Sequence, residues 1–295
     1  MDLLALRHFQ VVARHEHISR AAAELRVAQP SVSRTIGRLE RELGVPLFDR
    51  TGRRIRLNAH GRAFLRRVDR ALGELADARR EIADAEAMGH GTVAVAAETL
   101  LSLTGTLAAF RAAHPRVAIR LFQATAEEMA RLLQAREVDL CVASQPVTGP
   151  ALHREELIRE EVFLAVPHGH PLTRRDRVTV RDLVDEPFIS TRPGHWQRAL
   201  LDRLFAAEGL RPAITCEGDE PGAVHELITA GLGVGLLPAM SRLSAHATSV
   251  AWLRIEAADC VRTLTLVRHA DTYLPSAARR LADLLVRDLS EDVRP

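Results

Sequence analysis

The apolar residues change rhythm once along this chain, at Met88-Gly89-His90-Gly91. Before that break they recur at spacings of three and four, the period of a helix. After it, short aliphatic runs alternate with helical stretches, which implies an α/β fold containing parallel strands. The expected fold class is therefore α/β with an N-terminal all-α part. A length of 295 residues accommodates two or three domains. No run of 18 apolar residues occurs, so a membrane-spanning helix is not expected. Asp2 stands where a signal peptide would be basic, and Arg7, His8 and Arg14 interrupt any apolar stretch. A cytoplasmic protein without membrane contact is the expectation.

All 40 basic residues are arginines, which with the many alanines reads as coding bias. Their distribution is more informative than their number. Residues 1–58 hold eleven arginines against six acidic residues, a net charge of +5, while the whole chain carries only +2. A basic first module followed by a slightly acidic remainder suits one segment that meets phosphate and another that does not.

Leu3, Leu6, Phe9, Val12 and Ala13 mark a helix over about residues 3–16. A second helix is expected from about Ser19 as N-cap, with Ala21-Ala22-Ala23 suited to close approach of another helix. A third opens at Gln29-Pro30-Ser31, where proline in the first turn costs no hydrogen bond. Val32, Ile36, Leu39 and Leu43 form its apolar stripe and Gly44 ends it. Spacing alone fits both a helix-turn-helix and a plain three-helix bundle with a solvated face. Residues 45–57 favour the former. Leu47-Phe48 is an apolar anchor, Asp49-Arg50-Thr51-Gly52-Arg53-Arg54 an arginine-rich turn, and Ile55-Arg56-Leu57 a strand. A hairpin with arginines at its tip is a wing suited to phosphates or a minor groove.

Between Asn58, a good N-cap, and Ala87 there is no proline. Leu65, Val68, Leu72, Leu75 and Ile82 follow a four-three spacing with Arg79 in one slot, the pattern of a dimerisation seam. The alternative is a helix packed on its own domain.

Several blocks carry a resemblance: Leu6-Arg7-His8-Phe9, Ser19-Arg20-Ala21-Ala22, Gln29-Pro30-Ser31-Val32-Ser33, Ile36-Gly37-Arg38-Leu39-Glu40, Leu43-Gly44-Val45-Pro46-Leu47-Phe48 and Arg50-Thr51. In order and without gaps over about 60 residues, they resemble the signature of LysR-type transcriptional regulators. Val27-Ala28 departs from it, since the family often has a polar residue just before Gln-Pro. The resemblance implies that the helix opening at Pro30 enters the major groove. Gln29, Pro30, Ser31, Ser33, Arg34 and Arg38 would then contact DNA from the helix, and Arg50, Thr51, Arg53 and Arg54 from the wing. It also implies a homodimer or homotetramer on double-stranded promoter DNA, RNA polymerase as a partner, and a small-molecule effector.

After Thr92, expected strands are 93–97, 117–122, 139–143, 161–167, 188–189, 213–216, 234–237 and 262–268. Expected helices are 100–113, 127–135, 196–207, 222–230 and 276–289. Two α/β lobes joined by two crossing strands resemble a periplasmic-binding-protein type of sensor, as in the same family. The expected divisions are 1–58 for the winged module, 59–90 for the linker helix and hinge, and 91–295 for the sensor. Lobe I takes 91–162 and 267–295, and lobe II takes 163–266. A ligand belongs in the cleft, at strand C-termini and helix N-termini. Glu98, Thr99, Thr125, Ser144, Thr191 and Arg192 are the effector candidates there, with Arg192 a partner for a carboxylate or amino-acid effector. Glu98 stands where the family often has serine.

Other signals are weaker. Gly231-Leu232-Gly233-Val234-Gly235 follows a helix and precedes a strand, the inverse of a dinucleotide fingerprint. His168-Gly169-His170 lacks a third ligand, so neither a metal nor a resident cofactor is expected. Ser190, His195, His225 and Asp219 lack a nucleophile elbow, so no enzyme is expected. Cys141, Cys216 and Cys260 lack CxxC spacing and read as small buried apolar groups. A thiol-sensing regulator and an α/β solute-binding protein are the two rival readings.

Overall fold

The computed structural model describes residues 1–51, 54–86, 91–220, 222–243 and 247–291. It divides into two compact units, Met1–Ala83 and Asp84–Pro295.

The first unit holds α1 (Leu3–His15), α2 (Ile18–Leu25), α3 (Gln29–Leu43), β1 (Phe48–Thr51), β2 (Arg54–Leu57) and most of α4 (Ala59–Glu86). Asp2 caps α1 by accepting the Ala5 N–H at 2.7 Å. Helix α2 begins ahead of the expected cap at Ser19, because His17 Nδ1 accepts the Arg20 N–H at 3.4 Å and takes the N-cap role. Pro30 lies in the first turn of α3, and Gly44, at φ 73°, ends it. The three helices bury Phe9, Val12, Ala21, Val32, Ile36 and Leu39 in one core. Phe9 sits between Phe48 and Phe64, with centroids 5.6 and 5.2 Å away, so it joins α1 to both the wing and α4.

Strands β1 and β2 pair antiparallel, Phe48 opposite Leu57 and Thr51 opposite Arg54. Two carboxylates tether this hairpin. Glu40 on α3 accepts the Leu47 and Phe48 N–H groups, and Glu16 accepts that of Leu57 at 3.0 Å. Asn58 accepts the Gly61 N–H at 2.8 Å and donates to the Pro46 carbonyl, fixing the start of α4 against the wing. Val68 of α4 is buried in the helical core, with Phe64, Leu65 and Leu72 packed against it. The lower part of the expected seam therefore faces its own domain, and Val68 is not free to meet a second chain. Leu75 and Ile82 remain exposed.

The second unit runs β3 (Gly91–Ala97), α5 (Thr104–Ala113), β4 (Val117–Gln123), α6 (Ala126–Gln134), β5 (Leu140–Ala143) and β6 (Leu152–Pro167). It continues with β7 (Arg177–Val178), β8 (Pro187–Thr191), α7 (Trp196–Ala207), β9 (Ala213–Gly218), α8 (Ala223–Thr229) and β10 (Gly235–Pro238). Strands β11 (Val250–Ile255) and β12 (Val261–His269) and helix α9 (Ser276–Glu291) complete it. The main sheet has the order β4-β3-β5-β12-β6-β11-β7, with β10 also on β6, and β8 pairs with β9 separately.

In lobe I, β3 is parallel to both β4 and β5. Its alternate side chains serve two layers. Val93, Val95 and Ala97 pack with Phe110 of α5 and Leu281 and Leu285 of α9, while Ala94 and Ala96 pack with Met129 and Leu133 of α6. In lobe II, Leu164, Phe188, Val234 and Leu236 pack with Trp196, Leu200 and Phe205 of α7. Ala165, Ile189 and Leu237 pack on Val224 and Ile228 of α8.

Two strands connect the lobes. β6 begins in lobe I, pairs with β12 from Leu152 to Glu161, and then takes β10 and β11 over Val162–Pro167. It is 16 residues long, where the periodicity predicts only its second half. The missed half, Leu152–Glu160, has exposed charged side chains on successive residues and so lacks the alternation of a half-buried strand. The periodicity marks neither β7 nor β11.

Candidate functional site

Helix α3 presents the first candidate surface. Val32, Ile36 and Leu39 are almost wholly buried, which turns the opposite side of the helix outward within its unit. Gln29, Pro30, Arg34 and Arg38 are exposed, and Ser31 and Ser33 are half-buried beside them. Arg34 Nε donates only to the carbonyl of Pro30, at 3.3 Å. Arg38 leans on Asp2 at 3.3 Å, an exposed pair that yields readily to a phosphate. Arg56, exposed on β2 opposite Asp49, is a further wing cation that the candidate set omits. Arg50, Thr51 and Arg54 lie in the hairpin strands by backbone position. Arg53 lies outside the described residues.

The second site is the cleft between the lobes of the sensor. Its inner hollow, about 350 Å³, is lined by Thr99, Ser102, Trp196, Gln197, Met240 and Arg262 among others. A second hollow of about 530 Å³ shares Trp196 and Arg262 and adds Ser144, Gln145, Glu156 and Arg203. A mouth of about 380 Å³ is formed by Thr125, Glu128, Arg192, His195 and Asp219. Gln145 Nε2 reaches across from lobe I to donate to the Gly194 carbonyl of lobe II at 2.7 Å.

Arg262 on β12 is the centre of this cleft. It is buried, and its Nε and Nη2 both donate to Glu160 Oε1, at 2.9 and 2.5 Å. Glu160, on β6, uses its other oxygen to accept the Met240 N–H at 2.7 Å. The guanidinium lies 4.9 Å from the Trp196 ring centre, a cation–π contact. Glu98, at the end of β3, is buried close by with neither carboxylate oxygen hydrogen-bonded. Burial pushes its carboxyl up to about 7, against the charge of Arg262 and weaker pulls from Gln145 and Ser144. Between about 4.5 and about 7, the folded chain thus keeps a proton that the unfolded chain has released. Stability from this group is full below that window and falls as pH rises through it. Glu98→Gln is expected to flatten that fall, read as melting temperatures across the same range; an unchanged slope would show that other groups set it.

The remaining effector candidates fare unequally. Thr99 lines the inner hollow, and its hydroxyl accepts the Leu101 N–H at 3.4 Å. Thr125 reaches the mouth, but its hydroxyl is engaged in a capping box with Glu128 at the start of α6. Ser144 lines the second hollow with its hydroxyl unpaired. Thr191 is fully buried and lines none of these hollows, yet its Oγ1 has no partner. Arg192 is brought to the mouth, but its guanidinium is paired with Asp219, which corrects the expectation of a cation free for a ligand carboxylate. Arg262, Glu160, Trp196 and Gln197 are absent from the candidate set. The signal for Arg262 is present in the sequence: it falls in phase with Leu264 and Leu266 on an alternating strand, an arginine at a core-facing position.

The discounted motifs have ordinary structural roles. His168 bonds the Thr248 carbonyl at 2.6 Å, and His170 accepts the Leu172 N–H and faces Glu186. Ser190 Oγ has no hydrogen-bond partner, so it is not bonded to His195 as a nucleophile would be to its base. Burial pushes the Cys141 thiol up to about 12 and that of Cys260 to about 11. Both are poor sources of the thiolate that oxidant sensing needs, and Cys216 is half-buried.

A winged helix-turn-helix followed by a two-lobed α/β sensor defines a class: gene regulators that read DNA with one part and a small molecule with the other. The comparisons place the chain within it. Residues 3–62 match the bacterial regulatory helix-turn-helix protein of the lysR family, and residues 86–290 match the LysR substrate binding domain. The chain belongs to the LysR family of transcriptional regulators and is not an enzyme. It is 31% identical to the HTH-type regulator YybE of Bacillus subtilis, covering 99% of this chain and 100% of that one. It is 30% identical to the dual regulator GltC of the same organism, covering 99% and 98%. Among solved structures, the LysR-family regulator CbnR aligns with a TM-score of 0.56 at 25% identity, covering 97% of this chain and 100% of that one. A full-length cysteine variant of OxyR from Pseudomonas aeruginosa aligns with a TM-score of 0.68 at 24% identity, covering 97% and 94%.

Proposed function

We propose that α3 is the recognition helix, that Gln29, Ser31, Ser33, Arg34 and Arg38 contact bases and phosphates in the major groove, and that the arginines of the hairpin grip the flanking backbone. The observation that carries this reading is the outward polar side of α3, set opposite an almost wholly buried stripe. Two copies engage two half-sites, with Leu75 and Ile82 on the free part of α4 available to a partner copy. The effector occupies the cleft around Trp196 and Arg262 and favours one arrangement of the lobes over another, a population shift that alters the DNA-bound state. Contact with RNA polymerase completes the proposed action at a promoter.

Arg34→Ala tests the recognition helix. Specific binding to the DNA upstream of the chain's own gene should weaken by about 10- to 100-fold, the range for losing a bidentate base contact. Its melting temperature should stay put, since Arg34 makes one exposed local bond. Fluorescence anisotropy over a salt series reads both affinity and the number of phosphates engaged. Unaltered operator affinity in that variant removes α3 from the groove.

A further inference from the structure

The buried polar atoms of the cleft are unequally divided between donors and acceptors. Glu98 Oε1 and Oε2 and Gln197 Oε1 are buried, have no hydrogen-bond partner and can only accept in their usual states. The hydroxyls of Ser144, Ser190 and Thr191 are equally unpaired and can act either way, and Trp196 Nε1 is a fixed donor. Charge is unequal too. Arg262 satisfies Glu160, and Arg192 satisfies Asp219, so neither guanidinium is left over. At the junction of the lobes one buried guanidinium therefore faces two buried carboxylates, Glu160 and Glu98. Unpaired buried acceptors are costly, and a ligand that supplies the missing donors recovers that cost as affinity.

We propose that Glu98 is the specificity-determining acceptor of the cleft and that the effector carries an ammonium or comparable cationic N–H group, which docks against Glu98 beside Trp196. This rests on the cleft being the effector site, and it names the chemistry the site selects. A ligand with only carboxylates meets a second uncompensated acid at Glu98. A ligand ammonium instead balances the two acids with two cations. The groups facing Glu98 are Arg262 from β12, backed by Glu160 from β6, with Ser144 and Gln145 from the loop after β5. None of these takes up a proton near neutrality, so the proton displaced by an incoming cation comes from Glu98, whose carboxyl burial has pushed up to about 7.

The test uses the full-length chain and four compounds of one length: putrescine, 4-aminobutyrate, succinate and butane-1,4-diol. Binding is followed by calorimetry and by thermal shift. The amine-bearing pair should bind and succinate should not, and putrescine binding near neutral pH should release a proton, seen by comparing buffers of different ionisation enthalpy. Glu98→Gln, and Glu98→Ala as a second variant, should cut amine affinity by about tenfold or more and abolish the proton release, while operator binding shows each variant to be folded. Succinate or the diol binding best, with the response lost in Trp196→Ala, keeps the cleft as effector site and overturns the amine preference. Amine binding that survives Glu98→Gln and Trp196→Ala alike overturns both readings. No binding by any of the four overturns the proposal.

Discussion

Arg262→Met is expected to destabilise the sensor by about 3–5 kcal/mol at neutral pH, the range for removing one member of a buried ion pair. Methionine keeps the length and most of the volume, so the loss isolates charge. Without the guanidinium, Glu160 stays buried with only the Met240 N–H as a partner, and Glu98 loses its one nearby cation. Both carboxyls would then protonate more readily. The gap between variant and parent should therefore narrow as pH falls, and urea denaturation at neutral and mildly acidic pH measures it. Adding Glu160→Gln should restore at least half of the loss, since the amide oxygen still accepts the Met240 N–H and carries no charge. An equal loss at both pH values, with no recovery in the double variant, would falsify the charge argument and leave packing as the cause.

Gly61→Ala is the second large effect, and its sign reverses the usual helix propensity. Alanine in place of glycine inside a helix normally gains about 1 kcal/mol. At Gly61, however, an added Cβ would lie 2.1 Å from the Leu47 carbonyl oxygen and 2.7 Å from Leu57 Cδ2. That carbonyl is backbone, and it already accepts the Asn58 N–H at 3.1 Å, so it has little room to retreat. The first turn of α4 must separate from the wing, at an expected cost of about 3 kcal/mol. The DNA-binding unit should melt earlier, and operator affinity should fall with it. Gly37→Ala on α3 is the control, because nothing lies within 4 Å of an added Cβ there; it should leave stability equal or slightly higher. Similar melting for both variants would remove the close approach as the reason for glycine at position 61.

The N-terminal unit is readable because its cues are local. Pro30 at the start of α3, Gly44 at its end and three alanines on α2 each act within a few residues of themselves. The α/β alternation of the sensor is readable for the same reason. The first half of β6 is not, because its charged side chains face water while the backbone pairs with β12, more than a hundred residues ahead. The Arg262–Glu160 pair escapes notice likewise: two charges 102 residues apart become partners only once β12 lies beside β6. Heptad spacing along α4 identifies an apolar line but not its partner, and the lower part of that line belongs to Phe9, Val32 and their neighbours. Arg192 is legible as a cleft residue, but its pairing with Asp219 is not, since Asp219 arrives on the turn after β9.

The two crossing strands carry a mechanical consequence. β6 and β12 are hydrogen-bonded to each other along the whole of β12, with a single shift of register between Leu264 and Thr265. The lobes thus hang on a two-ply ribbon, not on a pair of slack tethers. Turning one lobe against the other winds or unwinds that ribbon, whose torsional stiffness sets a restoring force. The offset at Leu264/Thr265 is its most compliant point, two residues beyond Arg262, so the charge cluster sits beside the torsion spring on which any ligand would have to act.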